Sequence, residues 1–257
     1  MPTIIKHRTT AQIVLPFCYS LGCYLISLVS LIYFIVFSSG MYAPISINAT
    51  PSNIIASEHT FITSFLINIS LIAFFGLQHS IMARNRFKIW LSTFLPASVE
   101  RATFCLGSSI ALAMIAYFWA PMNGNVWSIS GHALSLLIQI IGFAGWGLML
   151  IATFQLDHFE LFGLKQTFFP FIGKAMPEAK FKKPGLYKVV RHPIQLGVLI
   201  GVWFIPESTA NHMMLATGMT IYIFIGLYFE EKELVKEFGK TYQEYKKQVA
   251  KLIPFLG

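Results

Sequence analysis

The 257-residue chain is 55% hydrophobic and only 12% charged, whereas a soluble globular domain carries about 25% charged residues, so composition excludes an ordinary soluble domain and points to a chain solvated by lipid. The net charge of +8 is no nucleic-acid footprint, because the basic residues sit in short loops between apolar runs rather than on one polar face. Cys18, Cys23 and Cys105 lie inside apolar stretches without CxxC or Cys/His spacing, so they read as small hydrophobes and no metal site is expected.

Lys6 and Arg8 precede the first apolar run, residues 13–37, which is too long for a signal-peptide core and is followed by no A-x-A site; it reads as a retained first span. A hydrocarbon core of about 30 Å needs about 20 helical residues. Segments 61–82, 102–120, 132–154 and 210–229 also meet that length. "GFAGWG", residues 142–147, lies inside the fourth span with no strand before it, so its glycines are expected to let helices approach rather than to bind phosphate. Proline and glycine then mark a loop over 164–183. Segment 189–204 is short, and reads as a thin crossing or as one arm of a hairpin turning at 206–210. Near the C-terminus Leu234, Phe238, Tyr242, Tyr245 and Val249 recur at helical spacing with lysines on the other faces. This is an amphipathic helix that lies on the membrane, folds over the cytoplasmic mouth, or stands in solvent; Gly239 weakens its middle.

The expected fold is therefore all-α: a polytopic membrane helical bundle of five long transmembrane helices plus a short hairpin arm and a cytoplasmic amphipathic C-terminal helix, forming one unit over 1–257. The 19 basic residues avoid the loops 38–60, 121–131 and 205–209 altogether. By the positive-inside rule this places both termini in the cytoplasm, provided the last two apolar segments run out and back.

Charge at the mouth of a hydrophobic segment marks the candidate site. "KVVRHPIQLG" carries Arg191 and His192 into segment 189–204, and "LYFEEKEL" returns Glu230 and Glu231 after the turn. Counting 1.5 Å per helical residue, the two ends differ by roughly 8 Å along the membrane normal, which tilt or a kink can close. Ionisable groups at that depth are functional candidates; the alternative is an ion pair that merely pins the hairpin. The group suits a zwitterion, with arginine on a carboxylate and glutamate on an ammonium, and Tyr187, Tyr222 and Tyr228 offer ring faces. S-adenosylmethionine has these features, and so does a free amino acid. There is no P-loop, and the seven histidines include no pair spaced three or four apart, which argues against a helix-borne metal cluster.

"RHPIQLG" followed by "EEKELVKEFGKTYQEYKKQV" resembles the C-terminal signature of the isoprenylcysteine carboxyl methyltransferase superfamily, here over 184–254. "FGLQHSIMARNRFKIWL", "ERATF", "DHFELFGLKQ" and "NHMMLATGMTIYIFIG" are similar to its bacterial methanethiol S-methyltransferase branch, also grouped with NnrU-like proteins. The resemblance implies in-line methyl transfer from S-adenosyl-L-methionine to a small thiol, methanethiol, giving dimethyl sulfide, in a bacterial inner-membrane enzyme with neither metal nor nucleic-acid partner. It places Arg191 and Glu231 as cofactor clamps, with Glu230 as the second choice. His192, paired catalytically with Arg191, touches the cofactor or takes the thiol proton. Gly197 permits close approach and Tyr187 forms a wall. His79, Asp157 and His158 fall on the substrate side, against the alternatives of an interhelical hydrogen bond for His79 and a hydrated loop for 157–160. Gln195 departs from the signature's usual ring, and Glu207 and Ser208 depart on the far side of the membrane. Two rival readings stay open: methylation of a lipid or isoprenoid thiol or carboxylate, and a non-enzymatic membrane factor.

Overall fold

The computed structural model describes residues 9–41, 46–48, 60–177 and 181–254; Lys6, Arg8, Lys180 and most of the loop 38–60 lie outside the described residues. Five helices are long and apolar enough to cross a membrane. These are α1 (Thr10–Ser39), α2 (Phe61–Met82), α4 (Glu100–Phe118, extended by a preceding 3-10 turn), α5 (His132–Leu156) and α9 (Ala210–Phe238). Threonine hydroxyls set three of their starts: Thr9, Thr60 and Thr209 each accept a backbone N–H of the first turn, which satisfies a donor that lipid cannot. Large apolar side chains such as Leu15, Ile62 and Tyr117 point outward, as expected for helices whose solvent is hydrocarbon.

Short helices connect the spans: α3 (Asn85–Leu91), α6 (His158–Leu161), α7 (Lys165–Phe171), α8 (Pro193–Trp203) and α10 (Lys240–Gln248). The core gathers Phe34, Phe75, Ile115, Trp146, Met149 and Leu215 from five different spans. Helix α4 packs on α1 and α2, and α2 on α9. The most extensive contact joins α5 to α8, and glycine makes it. A Cβ at Gly145 would stand 2.7 Å from the Gly201 nitrogen, and one at Gly197 would stand 2.5 Å from the Met149 nitrogen. Backbone cannot yield as a flexible side chain does, so these positions must stay bare.

Segment 189–204 proves to be one arm of a hairpin. Helix α8 has only 11 residues, about 16 Å of rise, too little to cross alone. Non-helical residues lengthen the arm at both of its ends: His192 has φ −128° and ψ 64°, Phe204 φ −90° and ψ 80°. Residues outside a helix advance further than about 1.5 Å each, up to about 3.3 Å when extended, so they shorten the gap left for tilt or a kink.

Three features differ from the sequence reading, the first being that the expected loop over 164–183 begins with helix α7. A short antiparallel pair joins β1 (Asn125–Ser128) to β2 (Glu207–Thr209) at the outer end of the hairpin. The amphipathic C-terminal segment is not one helix: α9 runs on through Phe238, Gly239 stops it at φ 56°, and α10 turns back. Of the three placements for this segment, it folds over the mouth. Tyr242 and Tyr245 are buried against Phe181. Beyond them a strap pairs Ala250 with Val190, accepting the Arg191 N–H at 2.8 Å, while the Lys251 carbonyl accepts that of His192 at 3.2 Å.

The glycine crossing is directly testable. Gly197→Ala should lower stability in detergent by about 1–3 kcal/mol through overpacking, whereas Gly147→Ala, with nothing within 4 Å of its added Cβ, should leave the unfolding midpoint unchanged or slightly raised. Equal behaviour of the two variants in denaturant titration would refute the close-packed crossing.

Candidate functional site

The hairpin brings Arg191 to Glu231. Arg191 Nε donates to Glu231 Oε1 at 2.8 Å, and both side chains are under 10% exposed. His192 Nε2 lies 3.2 Å from the same oxygen and Lys246 Nζ 3.0 Å from the other, with Lys251 Nζ at 3.8 Å. Arg191 Nη1 also donates to the carbonyls of Lys246 and Val249. One carboxylate thus ties together the RHP turn, the inner end of α9, helix α10 and the strap. A lone charge at this burial would be costly; paired and hydrogen-bonded it is held.

Glu230 is placed differently. One residue along a helix rotates a side chain by about 100°, and this carboxylate is 46% exposed. Gln195 Nε2 donates to it at 3.2 Å, and His192 Nδ1 lies 4.0 Å away. Gln195, where the superfamily signature has a ring, therefore holds an acid in place. The His192 imidazole is buried between the two carboxylates, and its Nε2–H donates to Glu231. The charge of Arg101 also acts on Glu230.

Tyr187 is buried near this cluster, its hydroxyl donating to the Ala152 carbonyl at 3.3 Å, and Tyr245 donates to the Tyr187 carbonyl at 2.5 Å. Burial pushes the phenols of Tyr187 and Tyr242 well up and that of Tyr245 to about 12, so all three stay neutral. Gly197 faces α5, so the close approach it allows here is that of a helix. Lys246, Lys251 and Arg101 escaped the sequence reading as site residues. A lysine-rich amphipathic helix gives no sign of which lysines turn inward until its docking is known.

The residues expected on the substrate side divide. His158 is 2% exposed and uses both ring nitrogens, Nδ1 with Thr153 at 2.9 Å and Nε2 with Tyr24 at 3.1 Å. Burial lowers its pKa against the pull of Asp157. It is a satisfied core histidine joining α1 to the end of α5. Asp157 caps α6 by accepting the Glu160 N–H at 3.1 Å and pairs with Lys165. Burial alone would raise its carboxyl, but Lys165 and that N–H hold it below its ordinary value. His79 stands apart from both, near the inner end of α2, with Phe75, Phe104 and Tyr222 around its ring. Tyr222 in turn feels the charge of Glu230, so the His79 surroundings adjoin the charged cluster.

Among the described residues no group of three or more His, Cys, Asp and Glu is placed to hold a metal ion. The arrangement is a charged cluster bordered by an aromatic wall. The family model for phospholipid methyltransferases matches residues 137–241, which begin in the glycine-bearing α5 and end in α10. No solved structure matches the chain. A protein of Bradyrhizobium diazoefficiens named methanethiol S-methyltransferase 1 is 38% identical over 93% of this chain and 82% of its own length. Proteins named methanethiol S-methyltransferase from Mycobacterium tuberculosis, 35% identical over 92% of this chain and 95% of its own, and from Pseudomonas deceptionensis, 42% identical over 75% and 74%, agree with it. With identity of this order running almost end to end, through the paired helices as well as the charged turn, the chain belongs to the methanethiol S-methyltransferase family of integral membrane methyltransferases.

Proposed function

We propose that the chain moves the methyl group of S-adenosylmethionine onto methanethiol and releases dimethyl sulfide. On this reading residues 1–257 work as one unit, with 184–254 forming the donor's seat and both termini in the cytoplasm of a bacterial inner membrane. The observation that carries the reading is the charge set at the mouth. Arg191, Lys246 and Lys251 bring three positive charges to two carboxylates, and Glu231 faces all three cations. Glu231 balances one of these three charges, which leaves positive charge for an amino-acid carboxylate, and the half-exposed Glu230 is left for its ammonium. A zwitterionic methyl donor fits that set.

Because Glu231 is already engaged, its part is to fix Arg191 and the lysines, and Glu230 becomes the direct ligand. His192 keeps the two acids apart and presents Nδ1 to the space beside Glu230. When bound, S-adenosylmethionine would supply an electrophilic methyl on a sulfonium, a reaction that asks for alignment and exclusion of water more than for covalent help. Helices α8 and α9 supply the alignment, and α10 with the strap covers the mouth. An apolar one-carbon thiol reaches the aromatic wall through lipid, while a hydrophilic donor enters from the cytosol, the side to which the basic loops assign this cluster.

A lipid acceptor fits less well. The groove on the surface of α2 and α4, lined by Leu66, Leu71, Phe74 and Met114, lies toward the outer ends of those helices, away from the Arg191 cluster.

Cells expressing the chain and fed methanethiol should accumulate dimethyl sulfide in the headspace, and purified protein should transfer label from S-adenosylmethionine to the volatile product; labelled lipid with no volatile product would overturn the acceptor. The division of labour between the acids predicts a split. Glu231→Gln should cost about 3–5 kcal/mol of stability, because it leaves buried cations unpaired. Glu230→Gln should hold its melting temperature within a few degrees yet weaken donor binding by calorimetry at least about tenfold. Arg191→Ala should lose both, and unchanged donor affinity in Arg191→Ala would remove the cluster from the binding site.

A further inference from the structure

His79 has a feature that a merely structural histidine does not need. Its Nδ1 lies 3.0 Å from Ser108 Oγ, and the Ser108 hydroxyl itself donates to the Phe104 carbonyl at 3.0 Å. A serine hydroxyl has one hydrogen. With that hydrogen given to Phe104, Oγ can only accept from the imidazole. The neutral ring therefore carries its proton on Nδ1, and Nε2 keeps a lone pair. Nε2 has no hydrogen-bond partner among the described residues, yet it is not one of the side-chain nitrogens sealed away without a partner, and the residue is only half-buried.

The space around the ring is apolar and narrow. The rings of Phe104, Phe75 and Tyr222 stand 4.6, 5.5 and 6.0 Å from it, centre to centre. Gly76 lets Tyr222 lie this close, since a Cβ there would meet its ring at 3.0 Å. Arg101 stacks on Phe104, and its charge reaches both His79 and Glu230, which ties this slot to the donor cradle. The other two candidate histidines are already occupied: His158 spends both nitrogens, and His192 sits between two carboxylates.

Resting on the methyl-transfer reading above, we propose that His79 Nε2 accepts the thiol proton, in a slot walled by Phe75, Phe104 and Tyr222 that takes a one-carbon thiol. An alkanethiol is almost wholly protonated at neutral pH and is a poor nucleophile until it ionises. The S–H bond breaks and its proton passes to Nε2. The electron pair left on sulfur forms the new S–CH3 bond as the methyl–sulfonium bond breaks onto the donor's own sulfur. The imidazolium then gives up the proton to water at the cytoplasmic face. Ser108 is a positioning residue: by accepting from Nδ1 it fixes the tautomer that leaves Nε2 basic.

The test uses the full chain in nanodiscs. His79→Asn puts an amide N–H near the place of the Nδ1–H and removes Nε2. Calorimetry should show S-adenosylmethionine bound within about threefold of wild type, while methanethiol turnover at pH 7 falls about 100-fold or more, as for loss of a general base. With hydrogen sulfide, a smaller and more acidic thiol, the loss should shrink to less than about tenfold, because less help with ionisation is needed. Nitrogen NMR of labelled histidine, with the His79 signal identified by its absence in the variant, should show the Nδ1-protonated tautomer. The Nε2 signal should move when methanethiol is added beside S-adenosylhomocysteine. Methanethiol turnover within threefold of wild type, equal losses with both thiols, or an Nε2-protonated ring would overturn the proposal. Should His79→Asn fail to fold, Ser108→Ala takes its place, with kcat for methanethiol expected to fall about tenfold at unchanged donor affinity; no change in kcat would count against the proposal. Wild type that binds no S-adenosylmethionine would instead sink the methyl-transfer reading beneath it.

Discussion

The structure depends on one buried ion pair. Arg191 and Glu231 are both withdrawn from water, where an isolated charge would cost several kcal/mol. The cost is offset only because the partners are saturated: the guanidinium meets a carboxylate and two backbone carbonyls, and the carboxylate meets arginine, histidine and lysine. The contacts join three stretches of chain: the RHP turn, the inner end of α9, and α10 with the strap that follows it. Satisfying the pair therefore fixes where the hairpin ends, how α10 docks and which way the strap runs, and with them the geometry of the mouth.

The pair could not form without two concessions in the backbone. Glycines at 145 and 197 let α5 and α8 touch main chain to main chain, Gly142 admits the Phe204 carbonyl and Gly201 seats the Trp146 ring, which holds the short arm inside the bundle. The residues flanking α8 give up helical geometry so that eleven helical residues can match the depth reached by α9. Where the backbone leaves regular structure near the outer face, side chains complete it. Asn68 exchanges two 2.8 Å hydrogen bonds with the main chain of Ala120, and Asn211 accepts from Trp119 and Met122 while donating to the Met122 carbonyl. In a membrane such groups have no water to turn to.

Much of this was legible in the sequence, because lipid imposes a length. The five spans stand out by apolar run alone, and counting residues about the turn at 206–210 brought Glu230 and Glu231 within roughly 8 Å of the level of Arg191. The partition between the adjacent acids was not legible, since it depends on where the α10 lysines point, and that is fixed only by docking of Tyr242 and Tyr245. His158 looked available because its partner Tyr24 lies 134 residues away in the chain, and no local pattern announces such a bond. The strands β1 and β2 were missed for a related reason: three or four residues carry no readable alternation, and their pairing exists only because the loops they belong to meet above the bundle.

The strap has a consequence for how the protein comes into being. Val249 is made 58 residues after the arginine whose guanidinium it accepts. At about 5–20 residues per second of synthesis, that arginine waits several seconds among helices already delivered to the bilayer. For part of that interval the guanidinium has its carboxylate partner, Glu231, but lacks the Val249 carbonyl that completes its hydrogen bonds. The mouth therefore takes its final form only once the strap has been made, later than the helices it closes.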